Sequence, residues 1–545
     1  MFMGPNHQEI EMDPAHLEAV LESPDYDFSA KYLAVCHLHG LARAKPEKIG
    51  PKTIAGLESV FYNRSVSAQT QSYFLFKEAA GAICCVLACL PHDACARKAH
   101  DAVMGLLSRT TGHAQRAAAE ALGGLPFSIS GPVPKKDGET EPPVLEWKAL
   151  LEETHLSCEG IPRFKGRSLV VKTAIDDQLL VIKLAGERDN PESLLQEAAW
   201  LHHLKHKGYV FPMRFHIPQI ITVGGSLSFR LKDMPIPAPR GTKRHSKGFA
   251  IAFLAHPDYF RYPNEVNQKK QLNDEEFRET ICRNAFLFGK LTGLGMIHTA
   301  PIPLFHNRVQ GPRRDDQGRY LWQRAGRLDQ WLQSCRYPNF GLSGIRDFEH
   351  LASFQGPARK IYSPMGAQLL SLFLVTGSYF RMKDSRRVGL DPGGRPVDAR
   401  HLFHKPLLAE IIQGIFHHYY EGFVGKPFKG AIPINFSALA VRMVDEMGVD
   451  RYMDEILRVT DQQEMTDAVF MDFLLERHVS MEKARQMKRG AADITLYTGP
   501  HLGGFNQQIS IPELIESVGT MAALCIYGRY CFETGSKEKV HDNEL

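Results

Sequence analysis

The sequence has no run of about 18 apolar residues; the longest candidate, LLSLFLV at 369–375, is too short to cross a bilayer, so no transmembrane helix is predicted. Its first residues, MFMGPNHQEIEMDP, lack a basic region followed by an apolar one, and no secretory signal is expected. The ten cysteines include no CxxC pair facing a second at zinc spacing. Free thiols in a reducing, cytoplasmic setting are expected, with Cys84, Cys85 and Cys89 in the core of an apolar helix. Charge of one sign is also lacking: 65 Lys and Arg against 61 Asp and Glu leave a net +4, so neither nucleic acid nor a membrane surface is an expected partner. His202-His203 and His417-His418 lack the i, i+4 spacing of a helical metal site. GPHLGGF (499–505) lacks the strand–helix context of a phosphate loop.

What remains is a soluble-type composition, 43% apolar and 23% charged, over 545 residues, too many for one core. Residues 1–125 read as a helical domain: AGAICCVLACL, ARKAHDAVMGLLSR and HAQRAAAEALGGL carry apolar residues at helical spacing, in a pattern like a short HEAT-type stack or an irregular helical domain. Residues 126–146 are rich in Pro, Gly and charge and read as a linker. At 167–185 two strand-like runs flank a turn at Asp176-Asp177, followed by a helix at about 192–205 and strands at 226–231 and 248–256. A strong helix spans 273–296, with Asn273 and Glu276 as a capping box and Gly295 as its end. Further helices are predicted at 366–382, 405–423, 437–458, 462–486 and 511–533.

Hairpin, helix, two strands, then helices is the layout of a protein-kinase-like domain. The predicted fold is therefore α+β and bilobal: a β-rich small lobe at 147–257, a helical large lobe at 258–480 with an insertion at 308–336, and a helical extension at 481–545. Lys183 in LLVIKLA resembles the lysine of the kinase VAIK strand. Glu197 lies on the next helix as its partner, with Glu192 as the fallback. The alternative is a strand-end lysine reaching water. Ala255 and His256 stand where a kinase hinge meets adenine. At the catalytic-loop position, His298-Thr299-Ala300 has no aspartate, and neither has His306-Asn307-Arg308. His298 is counted with the nucleotide-facing residues. The stretch YPNFGLSGIRDFEH then puts Asn339 eight positions before Asp347. An Asn and an Asp are the pair that hold Mg2+ beside nucleotide phosphates in kinases. Asp347-Phe348-Glu349 stands in for Asp-Phe-Gly, and Glu349 adds a carboxylate near the metal. An ordinary Asn-Gly turn with a surface aspartate is the alternative.

Together these residues resemble the pseudokinase family named after the Legionella effector SidJ, in its shorter bacterial members, over roughly residues 150–480. The selenoprotein O family, which transfers AMP to proteins, is a more distant comparison. The resemblance implies a kinase fold that uses ATP and Mg2+ to adenylylate a target glutamate and then attaches free glutamate to it. It names Lys183, Glu197, Asn339 and Asp347 as the catalytic set. The family's calmodulin-type activator is not carried over, because 511–533 is apolar and barely basic.

The missing aspartate fits such chemistry. A substrate hydroxyl gains about 10²–10⁴-fold from a general base, whereas a glutamate carboxylate is already ionised at neutral pH. Arg308, Arg313, Arg314, Arg319, Arg324 and Arg327 in the insertion, and Arg346 beside Asp347, are candidates for holding the anionic groups together, unless the insertion is a solvated basic loop. Two other functions stay open: a non-catalytic scaffold, and a small-molecule kinase taking its base from Asp315 or Asp316.

Overall fold

Seven helices open the computed structural model: α1 (Pro14–Glu22), α2 (Phe28–Ala44), α3 (Pro51–Ser59), the single turn α4 (Arg64–Ser67), α5 (Ser72–Cys89), α6 (Ala94–Arg109) and α7 (Gly112–Gly123). The structure describes residues 13–67, 71–90, 94–134, 141–165, 168–175, 177–185, 191–207, 216–233, 235, 248–264, 272–302, 335, 337–387, 405–440, a few positions between 472 and 480, 494–497, 506–509 and 512–541. Asp13 and Asp27 cap the first two helices, accepting from the amides of Ala15 (3.1 Å) and Ala30 (2.8 Å), groups the helix itself leaves unpaired. The meeting faces are alanine-rich: Ala79, Ala80 and Ala82 of α5, Ala99 and Ala102 of α6, and Ala117 and Ala118 of α7 are all buried. Helix α5 is long and apolar enough to span a membrane by composition, although no unbroken apolar run marks it in the sequence. Here it packs on α2, α6 and α7. Of its cysteines only Cys84 is buried; Cys85 is half-buried and Cys89 exposed, so the thiols face different sides of the helix.

The main sheet has the order β2-β7-β8-β5-β4-β3, built from β2 (Val144–Leu145), β3 (Cys158–Lys165), β4 (Ser168–Thr173), β5 (Leu179–Leu184), β7 (Phe229–Leu231) and β8 (Phe249–Ala255); β6 (Gln219–Ile221) also pairs with β8. The predicted hairpin is β4–β5, turning at Asp177 in the left-handed region (φ 56°), which aspartate tolerates. Alternation along β5 sends Leu180, Ile182 and Leu184 into a core under α8 (Trp147–Glu153). It sends Val181 and Lys183 to the opposite face, toward α9 (Glu192–Lys207). Strand β3 was not predicted. It is an edge strand with a bulge between Glu159 and Arg163, so its residues follow no alternation.

The capping box at α10 (Asp274–Gly293) forms as predicted, with both Asn273 and Glu276 bonds made. Helix α10 lies against a later helix, α12 (Lys405–Val424), backbone to backbone. A Cβ on Gly289 would stand 2.2 Å from the carbonyl oxygen of Tyr419, and one on Gly422 2.2 Å from that of Phe286. Gly289→Val is therefore expected to destabilise the fold by about 3 kcal/mol or prevent folding, read as a drop in unfolding midpoint; an unchanged midpoint would refute the close crossing.

The stretch read as a linker is tied down at both ends. β1 (Ser128–Ser130) pairs with β13 (Gln355–Pro357), and β2 joins the main sheet. β9 (Met296–His298) pairs with β12 (Leu351–Ser353), and a tight β10 (Phe340–Gly341) and β11 (Gly344–Ile345) hairpin lies between them in the chain. Helix α11 (Ala358–Arg387), predicted to start later, follows β13 directly. The final helix, α13 (Pro512–His541), packs on α7, α11 and α12. The first helices, α9 to α12 and the last helix thus share one core. Strands β14 (Ile494–Tyr497) and β15 (Asn506–Ile509) pair antiparallel with each other. Most of the helices predicted at 437–458 and 462–486, the GPHLGGF stretch and the 308–334 part of the insertion lie outside the described residues.

Candidate functional site

Lys183 is the residue from which the site is built. Its ammonium donates to Glu197 Oε1 at 2.8 Å and to Asp347 Oδ1 at 2.8 Å. Glu197 comes from α9, where Leu194, Ala198 and Leu201 form the buried stripe, and it is fully buried among them. A carboxylate there has a large desolvation cost unless paired, and the lysine from the facing strand supplies the partner. Glu192, the fallback, is exposed in the first turn of α9.

Asp347 arrives by a different route. The β10–β11 hairpin returns the chain, and Asp347 takes a left-handed conformation (φ 52°) before a 3₁₀ turn at Phe348–His350. That turn packs against α9, with Phe348 fully buried and the Trp200 indole of α9 donating to the Leu351 carbonyl at 2.9 Å. So α9 holds both the glutamate and the turn that carries the aspartate.

A cavity of about 320 Å³ opens here. Lys165 and Ser168 line it from the β3–β4 hairpin, Lys183 from β5, Phe260 and Tyr262 from the chain after β8, and Arg346, Asp347 and Glu349 from the turn. Burial alone would lower the Lys183 pKa, but Asp347 and Glu197 outweigh it and hold the ammonium well above the ordinary lysine value. Burial pushes the Glu197 carboxyl up to about 7; Lys183 opposes this, while Glu349 and Asp347 add to it. Three carboxylates thus act on the Lys183 ammonium, while Arg346 and Lys165 add positive charge to the same cavity wall. Glu197 Oε2 is buried with no hydrogen-bond partner.

Other predicted residues stand elsewhere. Asn339 is buried, its amide nitrogen donating to the Ala300 carbonyl at 2.7 Å. It pairs with Arg346 through backbone (2.8 Å) but does not line the cavity. Any role toward a cation falls to its amide oxygen. His298 is also buried: its Nε2 lies 2.9 Å from the Arg346 carbonyl, and its ring meets Phe288 and His350 edge-on. It positions the turn and does not line the cavity, because β9 pairing turns it into the core. Ala255 is buried and paired with Leu179, and the His256 ring stacks on His216 at 4.1 Å; neither lines the cavity. Ala300 is buried, with no carboxylate at that position. The insertion arginines from Arg308 to Arg327, His306, Asp315 and Asp316 lie outside the described residues.

The sequence reading missed Lys165, Ser168, Tyr259, Phe260 and Tyr262. A signal existed for the first two: Phe164-Lys165-Gly166-Arg167-Ser168 puts a glycine between two strand-length runs. His202 also has a neighbour one turn on, His206, with ring centroids 4.1 Å apart. Among the described residues, however, no three His, Cys, Asp or Glu side chains are grouped to hold a metal by themselves. Comparison with known proteins finds no family model and no curated relative that matches the chain.

Proposed function

We propose that the protein is an ATP- and Mg2+-dependent, protein-modifying pseudokinase that adenylylates a carboxylate and then transfers glutamate to it, or leaves AMP on the protein. One observation carries the reading: Lys183 bridges Glu197 and Asp347 at 2.8 Å each, on the wall of a cavity. A mostly antiparallel sheet with a helix carrying the glutamate, set beside a helical half, supports a kinase-like bilobal fold. The residues suit Mg2+ and polyphosphate: Asp347 and Glu349 would hold the ion, and Lys165, Lys183 and Arg346 would face phosphate oxygens. Magnesium would supply neutralisation of the phosphate charge. Asn339 does not line the cavity, so Glu349 would take the place of second ligand that the sequence suggested for it.

In the proposed reaction a substrate carboxylate oxygen bonds to the α-phosphorus of ATP while the bond to the β-phosphate oxygen breaks, releasing pyrophosphate. An amine then attacks the acyl carbon, loses a proton and expels AMP. No base is needed in the first step, in keeping with a buried Ala300 where a kinase has its aspartate.

The test uses ATP labelled at the α- or γ-phosphate and labelled glutamate. Label from the α-phosphate or from glutamate is expected on protein, and Asp347→Asn should reduce it by at least about 10²-fold through loss of the metal's main carboxylate. Transfer of γ-label alone would make the protein a kinase. The placement of Asn339, off the cavity wall and bonded to Ala300, favours a non-catalytic scaffold as the second reading. No transfer of any label, with cellular function kept in Asp347→Asn, would establish it.

A further inference from the structure

Arg346 has the most unusual surroundings on the cavity wall. It is only 5% exposed. Its guanidinium carbon lies 4.8 Å from the ring centre of Tyr259, 5.0 Å from Phe260 and 4.6 Å from Tyr262. The aromatic faces stabilise the charge, and the Tyr262 hydroxyl also accepts a hydrogen bond from the guanidinium. Nε and Nη1 have no hydrogen-bond partner. Asp347, next in sequence, is engaged by Lys183. The Tyr259 hydroxyl is likewise buried and without a partner, and burial raises its pKa well above the ordinary tyrosine value, so it stays protonated as a donor.

A buried guanidinium with unmet donors is costly. A merely structural arginine would be expected to spend those donors on carbonyls or carboxylates. The residue lines a cavity that also bears Lys165 and Lys183. An anion seated against it would offer Nε and Nη1 an acceptor that no protein group supplies.

We propose that Arg346, held within the cage of Tyr259, Phe260 and Tyr262, is an oxyanion receptor that takes a phosphate group of the ligand. This rests on the nucleotide reading above and sharpens it: Arg346 recognises the phosphate chain and not the base or the amino-acid co-substrate. The aromatic rings exclude water from the guanidinium and fix its plane. Rings and guanidinium come from separate parts of the chain, so the receptor forms only when the end of β8 and the β10–β11 turn are both in place.

The test measures binding of Mg·ATP, inorganic tripolyphosphate and L-glutamate to the full chain, with wild type, Arg346→Met and Arg346→Lys. Methionine fills the cage without charge; lysine restores charge without the planar group. Expected is a weakening of Mg·ATP and tripolyphosphate by about tenfold or more in Arg346→Met, with little recovery in Arg346→Lys and no lowering of the unfolding midpoint in Arg346→Met. Wild type that binds Mg·ATP, with Arg346→Met binding it equally well, overturns the receptor and leaves the nucleotide reading standing. Wild type that binds tripolyphosphate but not Mg·ATP overturns the nucleotide reading and keeps the receptor. Binding of neither overturns both. Loss of glutamate binding alone in Arg346→Met would make the residue a carboxylate receptor and refute the phosphate assignment.

Discussion

Lys183→Met is expected to abolish label transfer and also to lower the stability of the protein by about 3 kcal/mol or more. The two effects have different origins. The stability loss comes from what is left behind: Glu197, fully buried, and Asp347 would face each other without the ammonium that bridges them at 2.8 Å on either side. Removing one partner of a buried pair leaves an uncompensated charge, which costs more than the pair itself was worth. Replacing both partners with apolar groups is often neutral. Adding Glu197→Leu to Lys183→Met should therefore return most of the lost unfolding free energy in a denaturant titration. It should return no activity, because the ammonium proposed to face the phosphates is still absent. A double variant no more stable than Lys183→Met would show that the pair is not the buried unit described here. Substantial activity in either variant would remove Lys183 from the chemistry.

This coupling explains what could be read in advance. Lys183 and Glu197 were legible because each follows a local rule. Strand alternation fixes which face of β5 the lysine occupies, and the apolar stripe of α9 fixes where the glutamate points. Asp347 was legible from its sequence company, Asn339 before it and Phe348 after. The capping box of α10 was legible because it spans only Asn273 to Glu276. The rest depended on contacts that no local pattern encodes. Strand β3 is an exposed, bulged edge containing Gly160 and Pro162, so it lacks the period of a strand although it supplies Lys165 to the cavity. The cage around Arg346 joins Tyr259, Phe260 and Tyr262 to a turn far along the chain. His298 looked functional because of its position after α10, yet the β9–β12 ladder turns it inward. The stretch at 126–146 looked like a linker because Pro, Gly and charge usually mean one; here a glycine marks a close backbone crossing.

That crossing carries the last large effect. Gly131→Val is expected to reduce activity by about 10²-fold, although the residue touches nothing in the cavity, because misplacing reacting groups by about 1 Å costs that much. A Cβ at 131 would stand 2.4 Å from the Gly295 carbonyl oxygen, 2.6 Å from that of Phe354 and 2.8 Å from the Phe354 nitrogen, all backbone atoms that no rotamer change can move aside. The Gly131 amide donates to the Phe354 carbonyl at 2.7 Å, and the Phe354 amide donates to the Gly295 carbonyl at 2.8 Å. Just outside this junction, β1 pairs with β13 and the Ala358 amide donates to the Phe127 carbonyl. Phe354 lies soon after Asp347, in the same run of chain that β12 pins against β9. Forcing 131 away from 354 should loosen β12 and β13 and with them the turn that presents Asp347 to Lys183. The first helices would then matter to the site through this strand, whatever else they bind. Some global destabilisation, about 1–3 kcal/mol, accompanies the overpacking. Activity must therefore be measured well below the variant's unfolding midpoint, beside Gly124→Ala as a control, whose nearest contact is the Ala121 carbonyl of its own helix end at 3.2 Å. Full activity in folded Gly131→Val would mean that the helical region and the aspartate turn are mechanically independent.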